Sequence, residues 1–509
     1  MDILFSTLTL VTFAPLVGVA ILLLLRDEQR DAIRWTALTT ALITFAISLV
    51  LLLQFRASEP GLQLVTRAPW IAAGVLRVDY FLAVDGISLW LVLLTTFLVP
   101  VAIGAAWGAI TERVRAFMVW FLLLEVGMVG AFLAMDLLLF YIFFEFTLLP
   151  MIFLIGQWGG ERRVYAALKF FLFTFAGSIF MLIAILYLGA TAHTFSYPDL
   201  RNYVLADGVA PWLFAAFAIA FAIKVPVWPL HTWLPDAHVE APTPGSVILA
   251  GVLLKLGTYG FLRFNLGLFP VVAAQAAPLF GVLGVIGILY GAITAFAQSD
   301  AKKLVAYSSV SHLGFVMLGL FALNDLGIQG AILQMVNHGL STGALFVLVG
   351  YIYERRHTRE LSQFGGLWKV MPVFAALSLV VFFSSAGLPG LNGFVGEFTI
   401  LLGAWGSGLG GTANGGVIFS QALTAVAAVG VILAAVYMLW LYRRMFQGEV
   451  TVAANRGLAD LSPREIAVLV PLLIFIVLIG VYPKPFFDLM APSVQLLAQG
   501  LDAAAVALR

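Results

Sequence analysis

Residues 222–246 read AIKVPVWPLHTWLPDAHVEAPTPGS and place a lysine, Lys224, directly before a series of five prolines. The residues from 212 to 223, which precede the lysine, are all apolar. Proline lacks a backbone donor and its ring collides with the preceding turn, so Pro226 and Pro229 are predicted to break the helix. The sequence therefore places a buried ammonium group at the point where its helix ends.

Composition indicates the environment in which this helix lies. Of the 509 residues, 62% are hydrophobic and 10% are charged, and the mean hydropathy is +1.05. A water-facing surface needs roughly a quarter of all residues to be charged, so the chain is predicted to be a polytopic membrane protein. The chain has no cysteine, which excludes disulfides, thiolate metal sites and iron–sulfur clusters held by it. Its net charge of +1 gives no indication of nucleic-acid binding.

Hydropathy predicts an all-α fold of about 14 transmembrane helices, because each span needs about 20 apolar residues to cross the hydrocarbon core. The N-terminal run is longer than a signal-peptide core and has no basic region before it, so it is predicted to be a retained first span. The predicted spans are 3–25, 35–55, 87–110, 116–135, 137–157, 165–189, 212–233, 246–264, 275–298, 303–323, 327–353, 370–405, 417–442 and 466–483.

The basic residues predict the orientation. Seventeen of the 27 lysines and arginines lie in the odd-numbered connections between spans. By the positive-inside rule these connections are cytoplasmic, which places both termini on the outer, periplasmic side of a bacterial inner membrane. The long connection from residue 56 to 88, which contains Pro60, Gly61 and Pro69, is then an outer-face excursion, with a hairpin as one alternative.

A second span is interrupted in the same way as the first. The sequence AGLPGLNG at residues 386–393 breaks span 12 at Pro389 and Gly390, five spans after the break in span 7. Spans 4–8 and 9–13 are therefore interpreted as two copies of a five-helix unit, inverted relative to each other because the repeat is odd. Matched broken helices are a sequence indication of an ion or substrate path near the midplane. The predicted divisions are 1–115 with the outer loop, 116–264, 275–445 and 446–509.

Six ionisable residues inside the spans are the candidates for this path, since each is costly to insert and is by default a functional hypothesis. They are Glu145, Lys224, Lys255, His312, His338 and Glu397. Gln334 and His338 lie on one face of a helix, and Asn337 with Ser341 extends the polar stripe beside them. The alternatives are a static ion pair for the lysines and Glu145, a neutral carboxyl for Glu397, and interhelical hydrogen bonding for the histidines.

Other polar residues are secondary candidates. Lys169 is predicted near the cytoplasmic end of span 6, where it either joins the path or extends to the interface. Glu125 is buried in span 4, and Asp136 either joins the path or marks an outer helix end. The group His231, Asp236, His238 and Glu240 resembles a metal cluster, but it is predicted to lie on the cytoplasmic connection. There it either lines the proton entry or touches neighbouring structure, so no metal or cofactor site is expected.

A line of such groups has the energetics that proton transfer requires. Burial disfavours the charged form of a lysine, whereas a carboxylate nearby restores it. At an effective dielectric constant of about 20, a lysine and a glutamate 4 Å apart attract by roughly 4 kcal/mol. Moving one proton against about 150 mV costs roughly 3.5 kcal/mol. One or two coupled pairs are therefore of the right strength to load and release protons.

The residues also resemble a known family. The runs FFEFTLLPMIFLIGQWGG (143–160), VYAALKFFLFTFAGS (164–178), KVPVWPLHTWLPDAHVEAPTPGSVILAGVLLKLGTYG (224–260) and NGFVGEFTIL (392–401) resemble the antiporter-like membrane subunits of respiratory complex I, NADH:quinone oxidoreductase. The resemblance extends from span 3 through span 14. Glu397 favours the M type, because sibling subunits usually carry lysine at this position, and so does a chain that ends soon after span 14.

The resemblance implies roles, partners and cofactors. Glu145 would tune the central Lys224, Lys255 would pass the proton onward, His312 and His338 would relay it, and Glu397 would be the terminal site. The chain would carry no redox centre, so that NADH, FMN, iron–sulfur clusters and quinone belong to partner subunits. Its neighbours would be the L-type and N-type antiporter-like subunits, together with lipids, protons and water. Span 13 offers no charge that corresponds to Lys255, so the two halves are chemically unequal.

Two alternatives remain at this point. The nearer one is a subunit of a multisubunit Na⁺/H⁺ antiporter or of a membrane-bound hydrogenase, which resembles the same family. The more distant one is a stand-alone secondary transporter of an organic solute, which also uses inverted repeats. A line of polar residues favours ion relay over a shaped solute pocket.

Overall fold

The computed structural model describes residues 3–73, 76–407 and 413–507. The first half of the chain contains helices and one strand pair, which are α1 (Thr7–Leu24), α2 (Arg30–Gln54), β1 (Gln63–Ala73), β2 (Leu76–Val84), α3 (Ser88–Ala109), α4 (Val114–Leu133), α5 (Leu137–Phe146), α6 (Leu148–Trp158), α7 (Arg163–Ala192), α8 (Tyr197–Arg201), α9 (Ala210–Lys224), α10 (Trp233–Glu240) and α11 (Thr243–Leu268). The second half is helical, with α12 (Pro270–Phe296), α13 (Ala301–Phe321), α14 (Asp325–Arg356), α15 (Leu367–Val370), α16 (Pro372–Ser385), α17 (Asn392–Trp405), α18 (Ala413–Phe446), α19 (Pro463–Val481) and α20 (Lys484–Ala507). Short 3₁₀ turns lie at Ile3–Phe5, Leu361–Gln363 and Ala453–Asn455.

The described residues include twelve helices long and apolar enough to cross a membrane, counting α5 and α6 as one helix continued through Thr147. Two shorter apolar helices, α9 and α16, are the first segments of the predicted spans 7 and 12. The chain leaves the helix after Lys224 and again after Ser385, next to the prolines that the sequence predicts as breaks. In the second break Gly387 and Gly390 have φ of +74° and +92°, which L side chains rarely adopt. The chain is therefore a multi-pass membrane protein with two broken helices.

The connection between α2 and α3 is a β-hairpin, which confirms the hairpin alternative for this connection and departs from the all-α class at these residues. Strands β1 and β2 are antiparallel, with Arg67 opposite Phe81 and Ala68 opposite Tyr80. The hairpin is fixed to the bundle by Asp136, which accepts from the N–H of Asp79 at 3.0 Å. This end of the molecule is called the hairpin end below, and the opposite end, which carries the arginine-rich connections, the basic end.

The tail after the last predicted span forms a 24-residue helix, α20. Its buried residues recur every three or four positions, at Phe486, Met490, Val494, Leu497 and Leu501. This spacing gives one apolar face, which packs against α12 and α14. An amphipathic helix of this kind lacks the continuous apolar run of a span, and span prediction therefore misses it.

The centre of the bundle is formed by α11, α13, α14 and α3. The most apolar 18-residue stretches of α11 and of α14 are completely buried inside the protein. Only a third of the corresponding stretches of α18 and α19 is buried. The outer helices thus face lipid, and the central helices carry most of the buried polar side chains. Five of the six primary candidates lie in this interior or at its two broken helices, and the sixth, Glu145, lies in α5 beside α7.

Candidate functional site

The first cluster is built around the end of α9. The Nζ atom of Lys224 lies 5.0 Å from the ring centroid of Phe144 and 5.6 Å from that of Phe170, the geometry of a cation–π contact. The side chain is 1% exposed, and its Nζ makes no hydrogen bond within the described part of the chain. Glu145 interacts electrostatically with Lys224, but the two residues form no ion pair within 4 Å. The lysine is therefore held by aromatic rings and by a carboxylate at a distance.

Helix α11 approaches this cluster closely. A Cβ atom built on Gly257 would lie 2.9 Å from the backbone nitrogen of Val225 and 3.0 Å from Cβ of Lys224. Only glycine allows this packing without displacement of the backbone. Because Lys255 is two residues away from Gly257, the contact fixes the second buried lysine relative to the first.

Lys255 lies between two π-helical turns, Leu249–Leu253 and Phe261–Asn265. Such turns widen a helix and frequently occur at functional sites. The N–H of Leu254 donates to Leu249, so the Ala250 carbonyl is not taken by the usual partner four residues on, and it accepts from the Lys255 Nζ. The π turn thus creates a backbone acceptor for a buried lysine.

The same Lys255 Nζ lies 2.6 Å from Nδ1 of His338 on α14. A protonated lysine has only donors, so the imidazole nitrogen facing it must accept. One proton can therefore be shared between the two side chains. Both residues are at most 2% exposed, so this contact lies inside the protein.

His338 connects to the second broken helix through His312. The two imidazole centroids are 6.0 Å apart. The Nδ1 atom of His312 lies 2.7 Å from Oε1 of Glu397 on α17, and the Gln334 amide donates to the same oxygen at 3.2 Å. Glu397 follows the break between α16 and α17, so the line of side chains ends where that helix is interrupted.

The polar stripe on α14 satisfies the backbone at this break. The Asn337 amide donates to the Asn392 carbonyl at 2.7 Å, and the hydroxyls of Ser341 and Ser384 lie 2.7 Å apart. A cavity of about 10 Å³ lies between these side chains and Glu397. This volume is close to the minimum for one water molecule, and the lining is polar, so the site can be hydrated.

The secondary candidates fall into separate groups. Lys169 forms an ion pair of 2.7 Å with Asp236 near the basic end. His231 packs edge-on against Tyr290, with ring centroids 4.9 Å apart. Glu125 is fully buried and neither of its oxygens has a hydrogen-bond partner within the residues described. Asp136 accepts from the N–H of Leu138 and Leu139 and so caps α5, a structural role.

His238 belongs to the group that the sequence places on the cytoplasmic connection, and the structure buries it. It lies on α10, is 0% exposed, and stacks on Phe346 with centroids 4.5 Å apart. Neither of its nitrogens has a partner in the described ranges, and it interacts electrostatically with Lys302 and Lys255. Within those ranges no group of three or more histidine, aspartate or glutamate side chains is placed to hold a metal ion.

Two features of the interior were not predicted from the sequence: a tyrosine that contacts the buried series of Lys255, His338, His312 and Glu397, and a buried ion pair. Tyr437, on α18, places its hydroxyl 3.3 Å from Nε2 of His312. At the hairpin end Arg263 of α11 forms a forked pair with Asp85, at 2.6 and 2.7 Å. A tyrosine in an apolar run gives no local signal, and an arginine next to the end of the predicted span 246–264 is not conspicuous.

The fold and the site define a class of protein: a multi-pass membrane protein in which buried lysine, histidine and glutamate side chains lead toward a broken helix, the features of an ion translocator. The family described as NADH:quinone oxidoreductase/Mrp antiporter transmembrane subunits matches residues 134–424. NADH-quinone oxidoreductase subunit M of Rhodobacter capsulatus is 45% identical over 515 residues, covering 98% of this chain and 97% of that protein. The chain belongs to this family of antiporter-like membrane subunits of NADH:quinone oxidoreductase, and its similar relatives are of the M type.

Solved structures agree with this assignment. A chain of respiratory complex I from Thermus thermophilus with bound NADH is 35% identical, with a TM-score of 0.86, and the match covers 97% of this chain and 99% of that one. A chain of the Mrp complex from Dietzia sp. DQ12-45-1b is 20% identical with a TM-score of 0.83, covering 98% and 100% of the two chains. The second likeness shows a shared fold only.

Proposed function

We propose that this chain translocates protons across a bacterial inner membrane as the M-type subunit of NADH:quinone oxidoreductase, driven by quinone reduction in other subunits. The observation that carries the proposal is the buried series of Lys255, His338, His312 and Glu397, with contacts of 2.6 and 2.7 Å at its two ends. Every member can accept and release a proton, and the 6.0 Å between the imidazole centroids is short enough for one bridging water.

The finer architecture is part of the proposal. Fourteen spans result when α9 with α10 and α16 with α17 are each counted as one broken helix. Spans 4–8 and 9–13 would be inverted repeats, with the divisions 1–115, 116–264, 275–445 and 446–509. The arginines at the basic end support a cytoplasmic location for that end and a periplasmic location for both termini.

The proton path begins, on this proposal, at the Lys169–Asp236 pair and passes Lys224 before it reaches Lys255. Lys224 has no partner within hydrogen-bond distance, and Glu145 acts on it from beyond 4 Å. A movement that brings Glu145 into contact would favour the charged lysine, and withdrawal would favour proton release toward Lys255. Glu397 is the terminal acceptor before the second broken helix.

The chain itself is proposed to hold no redox centre. NADH, FMN, iron–sulfur clusters and quinone would be bound by partner subunits, and the direct neighbours would be the L-type and N-type antiporter-like subunits. The chain has no cysteine to ligate an iron–sulfur cluster, which supports this division of labour.

Replacement of Lys224 by alanine tests the proposal. In inverted membrane vesicles that contain the assembled complex, we expect Lys224→Ala to abolish the proton uptake that NADH oxidation drives through this chain. The matched variant Lys303→Ala, at an exposed lysine on the basic end, should pump like the wild type. Unchanged proton stoichiometry in Lys224→Ala would exclude this assignment.

A subunit of a Na⁺/H⁺ antiporter is the second candidate, because the matching family includes Mrp antiporter subunits. Purification of the tagged chain from its native membrane separates the two. Co-purification of an NADH-oxidising assembly supports the proposed function, whereas co-purification of membrane subunits alone supports the antiporter.

A further inference from the structure

A long apolar groove runs along the outside of the bundle, away from the line of buried charges. Helix α3 forms its floor, and α2 and α19 form its walls. The larger part has a volume of about 830 Å³ and the smaller part about 120 Å³, and both parts are lined by Phe45 and Phe97. The two parts therefore follow one another from the basic end toward the hairpin end.

The two ends of the groove carry tryptophans. At the basic end Trp35 and Trp107 pack edge-to-face with centroids 5.1 Å apart, and the smaller part is lined by Trp90. Tryptophan is enriched at the two interfaces of a membrane. The groove thus extends between the two interfacial layers along the whole of α3.

Charge is restricted to the mouth at the basic end. Asp31 and Arg464 are the charged residues that line the larger part. The other arginines near this mouth are engaged: Arg34 with Asp31, Arg115 with Asp27 and Arg355 with Glu465. Arg464 forms no ion pair or hydrogen bond within the described ranges, although it interacts electrostatically with Glu354.

The guanidinium of Arg464 is directed over the floor of the groove. Its Nη2 lies 3.4 Å from the position that a Cβ atom on Gly108 would occupy, and Oε2 of Glu354 lies 3.3 Å from the same position. Gly104, one turn away, lines the groove itself. The guanidinium thus lies at the entrance to an apolar channel, with the Glu354 carboxyl group on its inner side and the interfacial tryptophans nearby.

We propose that this groove binds a phospholipid, with its phosphate on Arg464 and an acyl chain along α3 toward Phe97. Arginine is suited to phosphate, and basic pockets between helices on the cytoplasmic side bind lipid headgroups. A transmembrane helix of 10 Å diameter and 30 Å length would occupy roughly 2,400 Å³, well above the volume of the groove. The shape therefore favours a lipid chain over the helix of a neighbouring subunit.

A photoreactive residue in the groove tests this in the purified whole complex, after washing in detergent to remove loosely held lipid. Benzoylphenylalanine at Leu42 lies in the groove wall, and at Ile474 it lies on the outer face of α19, outside the groove. We expect illumination to give a phospholipid adduct at position 42 and only detergent adducts at position 474. A polypeptide adduct at position 42, or detergent alone there, would overturn the proposal.

The headgroup contact is tested by Arg464→Gln in the complex that carries the position 42 probe. The yield of phospholipid adduct should fall at least several-fold. The matched control is Arg443→Gln, at an exposed arginine of the basic end on α18, which should leave the yield unchanged. An equal yield in the wild type and in Arg464→Gln would exclude Arg464 as the phosphate site.

Discussion

Lys255 and His338 are 83 residues apart in the chain, yet Nζ of the lysine lies 2.6 Å from Nδ1 of the histidine. The contact joins α11 to α14 and is closed on the lysine side by the Ala250 carbonyl. Among the hydrogen-bond contacts of Lys255 Nζ within the described residues, His338 is the titratable group, so the lysine can pass its proton directly to this imidazole. The contact therefore connects the first broken helix with the histidines and Glu397.

Lys255→Arg tests whether Lys255 must release its proton. Arginine keeps the positive charge, but in proteins it stays protonated. We expect proton uptake coupled to NADH oxidation to fall at least tenfold in vesicles, with the complex still assembled. Lys303→Arg is the matched exposed control. Wild-type pumping in Lys255→Arg would show that the residue serves only as a fixed charge.

Glu397→Gln tests the terminal site. Glutamine keeps the size of the side chain and an oxygen for Gln334, but it cannot gain or lose a proton at neutral pH. Pumping should decrease strongly, whereas Glu397→Asp should retain part of it. Glu28→Gln, at an exposed glutamate of the basic end, is the control. The measurement is the initial rate of vesicle acidification, and equal rates in Glu397→Gln and the wild type would contradict the role.

Arg263→Leu tests the buried ion pair at the hairpin end. Removing one partner of such a pair is expected to destabilise the protein by about 3–5 kcal/mol, because Asp85 is left buried without its counter-ion. The double variant Asp85→Leu, Arg263→Leu should recover most of this loss. Asp85 also accepts from the N–H of Ile87 and Ser88, so about 1 kcal/mol should stay lost.

The readout for Arg263→Leu is the thermal midpoint of the purified complex and the amount of chain assembled in it. The control is Arg56→Gln, which breaks the exposed Arg56–Glu59 pair. Its expected loss of stability is less than about 1 kcal/mol. A double variant no more stable than Arg263→Leu alone would argue against an unpaired buried charge as the cause.

Asp136 makes the attachment of the hairpin depend on pH. Burial raises the pKa of Asp136 to about 6, against the lowering effect of its backbone N–H bonds. The pKa of Asp136 in the folded protein therefore exceeds its value of about 3.9 in the unfolded chain. The contribution of Asp136 to stability is complete at pH values below about 3.9 and is lost as the pH rises through about 6. Attachment should therefore be tighter by about 1 kcal/mol at pH 5 than at pH 7.5.

Hydrogen exchange at the Asp79 amide, corrected for its intrinsic pH dependence, measures this attachment directly. Asp136→Asn should remove the additional protection at pH 5, and Asp207→Asn, at an exposed aspartate, should retain it. Persistence of the pH dependence in Asp136→Asn would assign it to another group.

The sequence alone was sufficient for the membrane class, for most of the span positions and for the two interruptions. Hydropathy is a sum over one continuous segment, and a proline disrupts the helix in which it lies. Neither signal therefore depends on residues that are distant in the sequence. The identity of the buried ionisable residues is visible for the same reason, because any charge within an apolar run is conspicuous. The sequence offered the hairpin only as one alternative, and it did not indicate the amphipathic α20, whose apolar face requires partners elsewhere in the fold.

Only the tertiary structure decided which of these residues meet. It separates Lys224 from Glu145 by more than an ion-pair distance, joins Lys255 to His338, and buries His238 against Phe346. It also brings Tyr437 of α18 into contact with His312. Contacts of this kind depend on helix packing across 80 to 125 residues of sequence separation, which local patterns of hydropathy and breakers do not encode.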